Sequence, residues 1–224
     1  VASSGIINLY NSCKEKNIEE FYLASTSEVY QTPSKLPAAE NERLIIPDVM
    51  NPRYSYGGGK ILCELVAIHC IQKLVNKLII YRPHNVYGPD MGNEHVIPQF
   101  FMKMKKMVNQ IGQNKVIKFP IQGSGNETRS FIHINDFIKG VEILINRGES
   151  NQIYHIGNDD EISIKELALL ISKTLDINIE IKPGELQLGS TIRRCPDISK
   201  ISKIGYRQTI SLKKGVESLK GWYY

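Results

Sequence analysis

Phe21-Tyr22-Leu23-Ala24 runs directly into Ser25-Thr26-Ser27-Glu28. Four apolar residues without alternation read as a strand buried on both faces, and the polar run puts a loop at its carboxyl end. Upstream, Ile6, Leu9, Tyr10 and Cys13 recur at helical spacing within residues 5 to 16, and Lys14-Glu15-Lys16-Asn17 closes the stripe. Downstream comes a stretch holding Pro33, Pro37, Pro47 and Pro52. Ile61, Leu62, Leu65, Ile68 and Ile71 then predict an amphipathic helix from Tyr56 to about Lys73, and Leu78-Ile79-Ile80-Tyr81 predicts a second buried strand. Helix, strand, helix, strand is the pattern of an α/β chain with a doubly wound parallel sheet. In such sheets ligands collect outside the carboxyl ends of the strands, so the Thr26 loop and the loop after Arg82 can serve one pocket.

Beyond Gly88-Pro89 the pattern predicts a helix near residues 96 to 108 and a strand around Val116 to Ile121. A helix capped by Asn135 or Asp136 and ending before Gly148 follows, then a strand over Ile153-Tyr154-His155-Ile156-Gly157. Ser163-x-x-Glu166 is a capping box for a helix through Leu175.

The 224 residues are 42% apolar and 23% charged, the balance of an ordinary globular protein. No apolar run reaches bilayer length and no secretory leader opens the sequence, so a cytoplasmic protein off the membrane is expected. The net charge of +5 is mild and its lysines are scattered, Lys103, Lys105 and Lys106 being the densest group, which argues against nucleic-acid binding. Cys13, Cys63, Cys70 and Cys195 lack metal-ligand spacing and read as reduced thiols; no metal is expected.

Tyr56-x-x-x-Lys60 is the sharpest motif. Residues four apart share a helix face, so the Lys60 ammonium can lie beside the Tyr56 phenol and favour the phenolate, a general base for a hydroxyl proton. With 11 tyrosines in the chain the spacing alone is unspecific, and a solvated Tyr and Lys would show it too. Gly57-Gly58-Gly59 costs a helix roughly 0.5 to 1 kcal/mol per residue relative to Ala, which points to a close approach of backbone or cofactor. A frayed helix end would read the same. Thr26-Ser27-Glu28 offers a hydroxyl and a carboxylate to a bound substrate, although an ordinary polar turn has this composition as well.

Ser25-Thr26-Ser27-Glu28-Val29-Tyr30, Asn51-Pro52-Arg53-Tyr54-Ser55-Tyr56-Gly57-Gly58-Gly59-Lys60, Tyr81-Arg82-Pro83-His84-Asn85-Val86-Tyr87-Gly88-Pro89 and Thr128-Arg129-Ser130-Phe131-Ile132-His133 follow one another along the chain. In order and spacing the sequence resembles, essentially end to end, the NAD-dependent nucleotide-sugar epimerases and dehydratases of the extended short-chain dehydrogenase/reductase class. The resemblance implies that Tyr56 is the base on the sugar C4 hydroxyl, that Lys60 supports it and holds the nicotinamide ribose, and that Thr26 hydrogen-bonds the same oxygen while hydride passes from C4 to NAD. Ser27 and Glu28 complete the implied catalytic set. Ser25, Pro83 and His84 join Tyr56 and Lys60 on the cofactor side. Asn85, His95, Val96, Arg129, Arg193 and Arg194 fall on the substrate side, the arginines suited to a diphosphate because a guanidinium presents forked donors. Without the resemblance those arginines would read as surface ion pairs, and His84, His95, His133 and His155 as structural histidines.

The same resemblance implies a nucleotide-sugar substrate, UDP-linked for preference, and a homodimer formed through the helices at 5 to 16 and 57 to 73. Residues 1–90 would then be the C-terminal half of a Rossmann-type NAD-binding domain carrying Tyr56 and Lys60. Residues 91–224 would be mainly a smaller substrate-binding lobe, with the strand near 153–157 returning to the sheet.

Three departures qualify it. The family's phosphate loop G-x-x-G-x-x-G is missing, and the nearest glycine cluster, Gly123-Ser-Gly-Asn, follows the catalytic motif instead of preceding it. The expectation is an N-terminally truncated sequence whose loop and NAD-versus-NADP selector precede Val1, with an unpaired sheet edge and no activity alone. Ala2 stands where the family often has Asn. Thr26-Ser27-Glu28 replaces the Thr-Asp-Glu of 4,6-dehydratases and is also similar to UDP-glucuronate decarboxylases. An epimerase or dehydratase is therefore expected, a decarboxylase is the alternative, and a silent dinucleotide sensor, which has no need of both Tyr56 and Lys60, is the reading from another class.

Overall fold

The computed structural model describes residues 2–112, 115–187 and 189–224. In chain order its elements begin with α1 (Ala2–Glu15), β1 (Glu20–Ala24), α2 (Ser55–His69), β2 (Lys77–Pro83), β3 (Val86–Tyr87) and α3 (Val96–Ile111). Then come β4 (Ile117–Pro120), β5 (Thr128–Ser130), β6 (Ile132–His133), α4 (Ile134–Arg147), β7 (Gln152–Ile156), β8 (Glu161–Ser163) and α5 (Ile164–Leu175). The last are β9 (Ile179–Lys182), β10 (Arg193–Arg194), α6 (Ser199–Lys203), α7 (Leu212–Ser218) and α8 (Lys220–Tyr223). They divide between two compact units, the first made of Val1–His84, Phe137–Asp159 and Cys195–Arg207, the second of Asn85–Asp136, Asp160–Arg194 and Gln208–Tyr224.

The first unit is built on a parallel sheet in the order β1-β2-β7, with Leu23 opposite Ile80 and Ile80 opposite Ile153. Leu78, Ile79 and Ile80 are all buried, which is why this strand reads as an unbroken apolar run. Ile6 and Cys13 of α1 and Cys63 and Ala67 of α2 pack on Leu23, Leu78 and Ile80. Each fully buried aliphatic side chain of this kind contributes about 1.5 to 3 kcal/mol. The helix expected from Tyr56 to Lys73 is α2 followed, after Cys70, by a separate 3-10 turn over Ile71–Lys73. Its entry is set by Asn51, whose side chain accepts from Arg53 N at 3.0 Å, with Pro52 opening a 3-10 turn that needs no donor there.

The second unit packs Ile97, Phe100, Phe101, Met104 and Val108 of α3 against Ile117 and Phe119 of β4 and against Leu167, Ile171 and Leu175 of α5. Its short strands pair as β10-β5-β8, β3-β6 and β4-β9. The capping box is present: Ser163 Oγ accepts from Glu166 N at 3.1 Å and the Glu166 carboxylate accepts from Ser163 N at 2.9 Å. The cap expected at Asn135 or Asp136 is corrected. Helix α4 already begins at Ile134, and the Asp136 carboxylate instead accepts from Thr209 N at 2.9 Å and Ile210 N at 2.8 Å, stapling that segment. Among the described residues no helix is long and apolar enough to cross a membrane, and no group of three or more His, Cys, Asp or Glu is placed to hold a metal.

Candidate active site

The carboxyl end of β1 carries Ser25, Thr26 and a single 3-10 turn over Ser27–Val29. Thr26 caps that turn, its Oγ1 accepting from Glu28 N at 3.2 Å, so its hydroxyl proton is oriented away from the backbone donor. Ser25, Thr26 and Ser27 are buried, while Glu28 is half-buried. Across from them, the first turns of α2 present Tyr56 and Lys60. The Lys60 ammonium donates to the Ala24 carbonyl at 2.8 Å and lies 6.0 Å from the centre of the Tyr56 ring. Tyr56 itself is 55% exposed, unlike the buried Tyr30, Tyr54, Tyr87 and Tyr154. Phenol, ammonium and Thr26 thus belong to adjacent strand-end and helix-start segments of one unit.

Gly57 explains part of the glycine run. A Cβ there would fall 2.9 Å from the Glu28 carbonyl oxygen and 3.0 Å from Gln31 Nε2, so only glycine lets α2 lie this close to the turn after Thr26. Pro83 ends β2 beside β7 and His84 follows it, His84 N donating to the Ile156 carbonyl at 3.0 Å. The His84 ring is buried, edge-on to His155 at 4.7 Å between centroids.

Beneath this strand end lies a polar cluster that the motifs do not announce. Ser25 Oγ, expected on the cofactor side, donates to the Glu64 carboxylate. Glu64 is forked by Arg82, at 2.9 Å from Nε and 2.6 Å from Nη2, both side chains being 2% exposed. Tyr30 hydroxyl lies 2.6 Å from His155 Nε2, and burial holds His155 well below the usual histidine range, at about 4. The one signal in the sequence was an arginine and a glutamate at positions where an apolar strand and an apolar helix face are continued.

The second unit holds the remaining predicted residues in two groups. Asn85, His95 and Val96 line a cavity of about 80 Å³ with Val86, Tyr87, Met91, Ile97 and Phe131. Asn85 adopts φ +41, a conformation asparagine tolerates, and its Nδ2 donates to the Ser130 carbonyl at 2.8 Å. Arg129, Arg193 and Arg194 meet where β5 and β10 pair, with Arg194 opposite Arg129. Arg129 donates to the carbonyls of Thr191 at 2.6 Å and Thr128 at 2.7 Å, and Arg194 donates to Thr191 Oγ1 at 3.2 Å. Arg193 is turned to Glu161, Nε lying 2.8 Å from Oε2. The structure brings Arg129 and Arg194 together and commits Arg193 to an ion pair.

Residues 3–157 match the sequence model of the NAD dependent epimerase/dehydratase family. A dTDP-D-glucose 4,6-dehydratase of Dictyostelium discoideum is 30% identical over 182 residues, which cover 77% of this chain and 38% of that protein. The crystal structure of DesIV, a dTDP-glucose 4,6-dehydratase from Streptomyces venezuelae with NAD and TYD bound, superposes with a TM-score of 0.80 at 25% identity, covering 98% of this chain and 64% of the other. A UDP-N-acetylglucosamine 4-epimerase from Methanobrevibacter ruminantium, at 20% identity and a TM-score of 0.81, shares the fold over 98% of this chain and 67% of its own. The chain spans from 38% to 67% of the length of these proteins.

Proposed function

The chain belongs to the NAD-dependent epimerase/dehydratase family, and from that premise we propose that it carries the catalytic part of a nucleotide-sugar epimerase or dehydratase that oxidises its sugar at C4. The observation that carries the reading is the pairing of an exposed Tyr56 with a Lys60 ammonium fixed on the Ala24 carbonyl. The phenol stands open to a substrate with the anchored ammonium beside it, and a tyrosine so placed serves as the general base that takes the proton of a hydroxyl. Thr26 donates to the oxygen that is losing that proton, because its own oxygen is already occupied as an acceptor by Glu28 N. Glu28 serves the subsequent proton transfer at a neighbouring carbon, with Ser27 beside it in the same turn.

The residues present fit the nicotinamide half of NAD: the Lys60 ammonium and Tyr56 phenol at an open strand end, with Ser25, Pro83 and His84 at the ends of β1 and β2. NAD supplies a reversible hydride acceptor. In the second unit, Asn85, His95 and Val96 bind the nucleotide-sugar, and Arg129, Arg193 and Arg194 its diphosphate. Arg193 must exchange Glu161 for phosphate to take part. Ile7 and Leu9 of α1 and Leu62 and Leu65 of α2 are 40 to 50% exposed, an apolar face suited to a second copy of the chain. The enzyme then acts on a UDP- or dTDP-linked sugar in the cytoplasm.

Mass spectrometry of UDP-glucose, dTDP-glucose and UDP-glucuronate treated with the full-length protein and NAD tests this. Loss of water, or an unchanged mass with a new epimer by chromatography, is expected. Loss of carbon dioxide would select the decarboxylase, and no change in any of the three would remove the enzyme reading.

A further inference from the structure

Ser25, Tyr30, Glu64, Arg82 and His155 are all buried, and among them only Ser25 has a role in the reaction proposed above. Tyr56, Lys60 and Glu64 follow at four-residue spacing along one face of α2. The first two address the reactants, while the third turns inward. Glu64 accepts from Ser25, the residue just past β1, and from both Nε and Nη2 of Arg82, in β2. Arg82 Nη1 donates to the Tyr30 hydroxyl and, at 2.8 Å, to the Glu40 carbonyl. Tyr30 meets His155 of β7 in turn, and His155 Nδ1 lies 3.0 Å from the Asp197 carbonyl oxygen. Three neighbouring strands and the catalytic helix are therefore tied at a single buried carboxylate and guanidinium.

Such a pair adds little net stability compared with a well-packed apolar replacement, because desolvation offsets the attraction. What it does impose is geometry: a forked, charge-assisted contact in a dry site tolerates little displacement. Thr26 is capped within its own turn, and that cap says nothing about where the turn stands relative to α2. Two side chains tie the strand end to α2: Lys60 reaches back to the Ala24 carbonyl, and Ser25, the immediate neighbour of Thr26, reaches inward to Glu64.

We propose that Ser25, Glu64 and Arg82 form a positioning device for the reaction, clamping the residue before Thr26 to the helix that carries Tyr56 and Lys60 and so setting the Thr26 hydroxyl against the phenol. The proposal rests on the roles given above to Thr26 and Tyr56. It makes Ser25 a positioning residue acting through Thr26, with Glu64 and Arg82 as its support.

A double-mutant cycle tests it in the full-length enzyme with NAD, using as probe whichever of UDP-glucose, dTDP-glucose and UDP-glucuronate the wild type turns over. Ser25→Ala removes one hydroxyl and leaves the Arg82–Glu64 pair in place. It should lower kcat about tenfold, leave the KM for the nucleotide-sugar unchanged and move the melting temperature little, since a small misplacement of a catalytic group is costly in rate. In a Thr26→Ala background the same change should cost less than about twofold, because nothing is left to position. Glu64→Gln, which keeps an acceptor for Ser25, should lose less kcat than Glu64→Ala. Equal losses from Ser25→Ala in both backgrounds, or a kcat unaffected by Ser25→Ala, overturn the positioning role. A Thr26→Ala enzyme with wild-type kcat overturns the Thr26 assignment beneath it, and is told apart by that single variant.

Discussion

Arg82 in the first unit and Arg193 in the second each fork onto a glutamate, yet Arg82 and Glu64 are 2% exposed whereas Arg193 and Glu161 are 48% and 20% exposed. The buried pair has no water to fall back on, so removing one partner strands a charge in a dry site. The surface pair exchanges its partner for water or for an incoming anion at small cost. One chemistry thus serves two ends: at the strand ends it fixes a scaffold, and on β10 it leaves the Arg193 guanidinium with room to change partner. A buried arginine at a site is a part of its frame, and a half-exposed one is a candidate ligand.

The largest effect that separates the two is on stability. Arg82→Met should destabilise the protein by about 3 to 5 kcal/mol in urea unfolding, while Arg193→Met should cost less than about 1 kcal/mol. Pairing Arg82→Met with Glu64→Gln should recover much of the loss. Equal destabilisation by the two single changes would erase the distinction.

A smaller effect sharpens it further. Burial depresses His155 in the folded state to about 4 from an ordinary 6.5, so the unfolded chain binds the proton more readily. The stability this contributes is whole above about pH 6.5, falls as pH drops through the interval, and is gone below about pH 4. The drop amounts to about 3 kcal/mol. Urea unfolding from pH 7 to pH 4 should show it, and His155→Gln should flatten the curve; a variant with the same slope as wild type would remove His155 as its source.

What could be foreseen from the sequence follows the range over which each interaction acts. The start of α5 was legible because its capping box spans only four residues, and β2 because a two-faced burial leaves an uninterrupted apolar run; β1 has the same apolar run, yet of its residues only Leu23 is buried and Ala24 is exposed, so the expected burial on both faces does not hold there. Tyr56 and Lys60 were legible because four residues along a helix place them together without reference to the rest of the chain. By contrast β8, β9 and β10 are two to four residues long and exist through pairing with distant partners, so they have no local pattern. Asp136 looked like a cap and is a staple for residues 73 and 74 positions away. Glu64 and Arg82 lie 18 residues apart, and Tyr30 and His155 lie 125 apart, so their union required the folded sheet. Gly57 is an anomaly within a helix in the sequence alone, and its cause, the Glu28 carbonyl, lies on another segment.

The central claim is that the Tyr56 phenol takes the proton from the sugar hydroxyl with Lys60 in support. Rapid mixing of the NAD-loaded full-length enzyme with its nucleotide-sugar, following nicotinamide absorbance in wild type and Tyr56→Phe, addresses it most directly. The account predicts that the variant still binds the nucleotide-sugar but reduces NAD about 10² to 10⁴ times more slowly; reduction at the wild-type rate would contradict it.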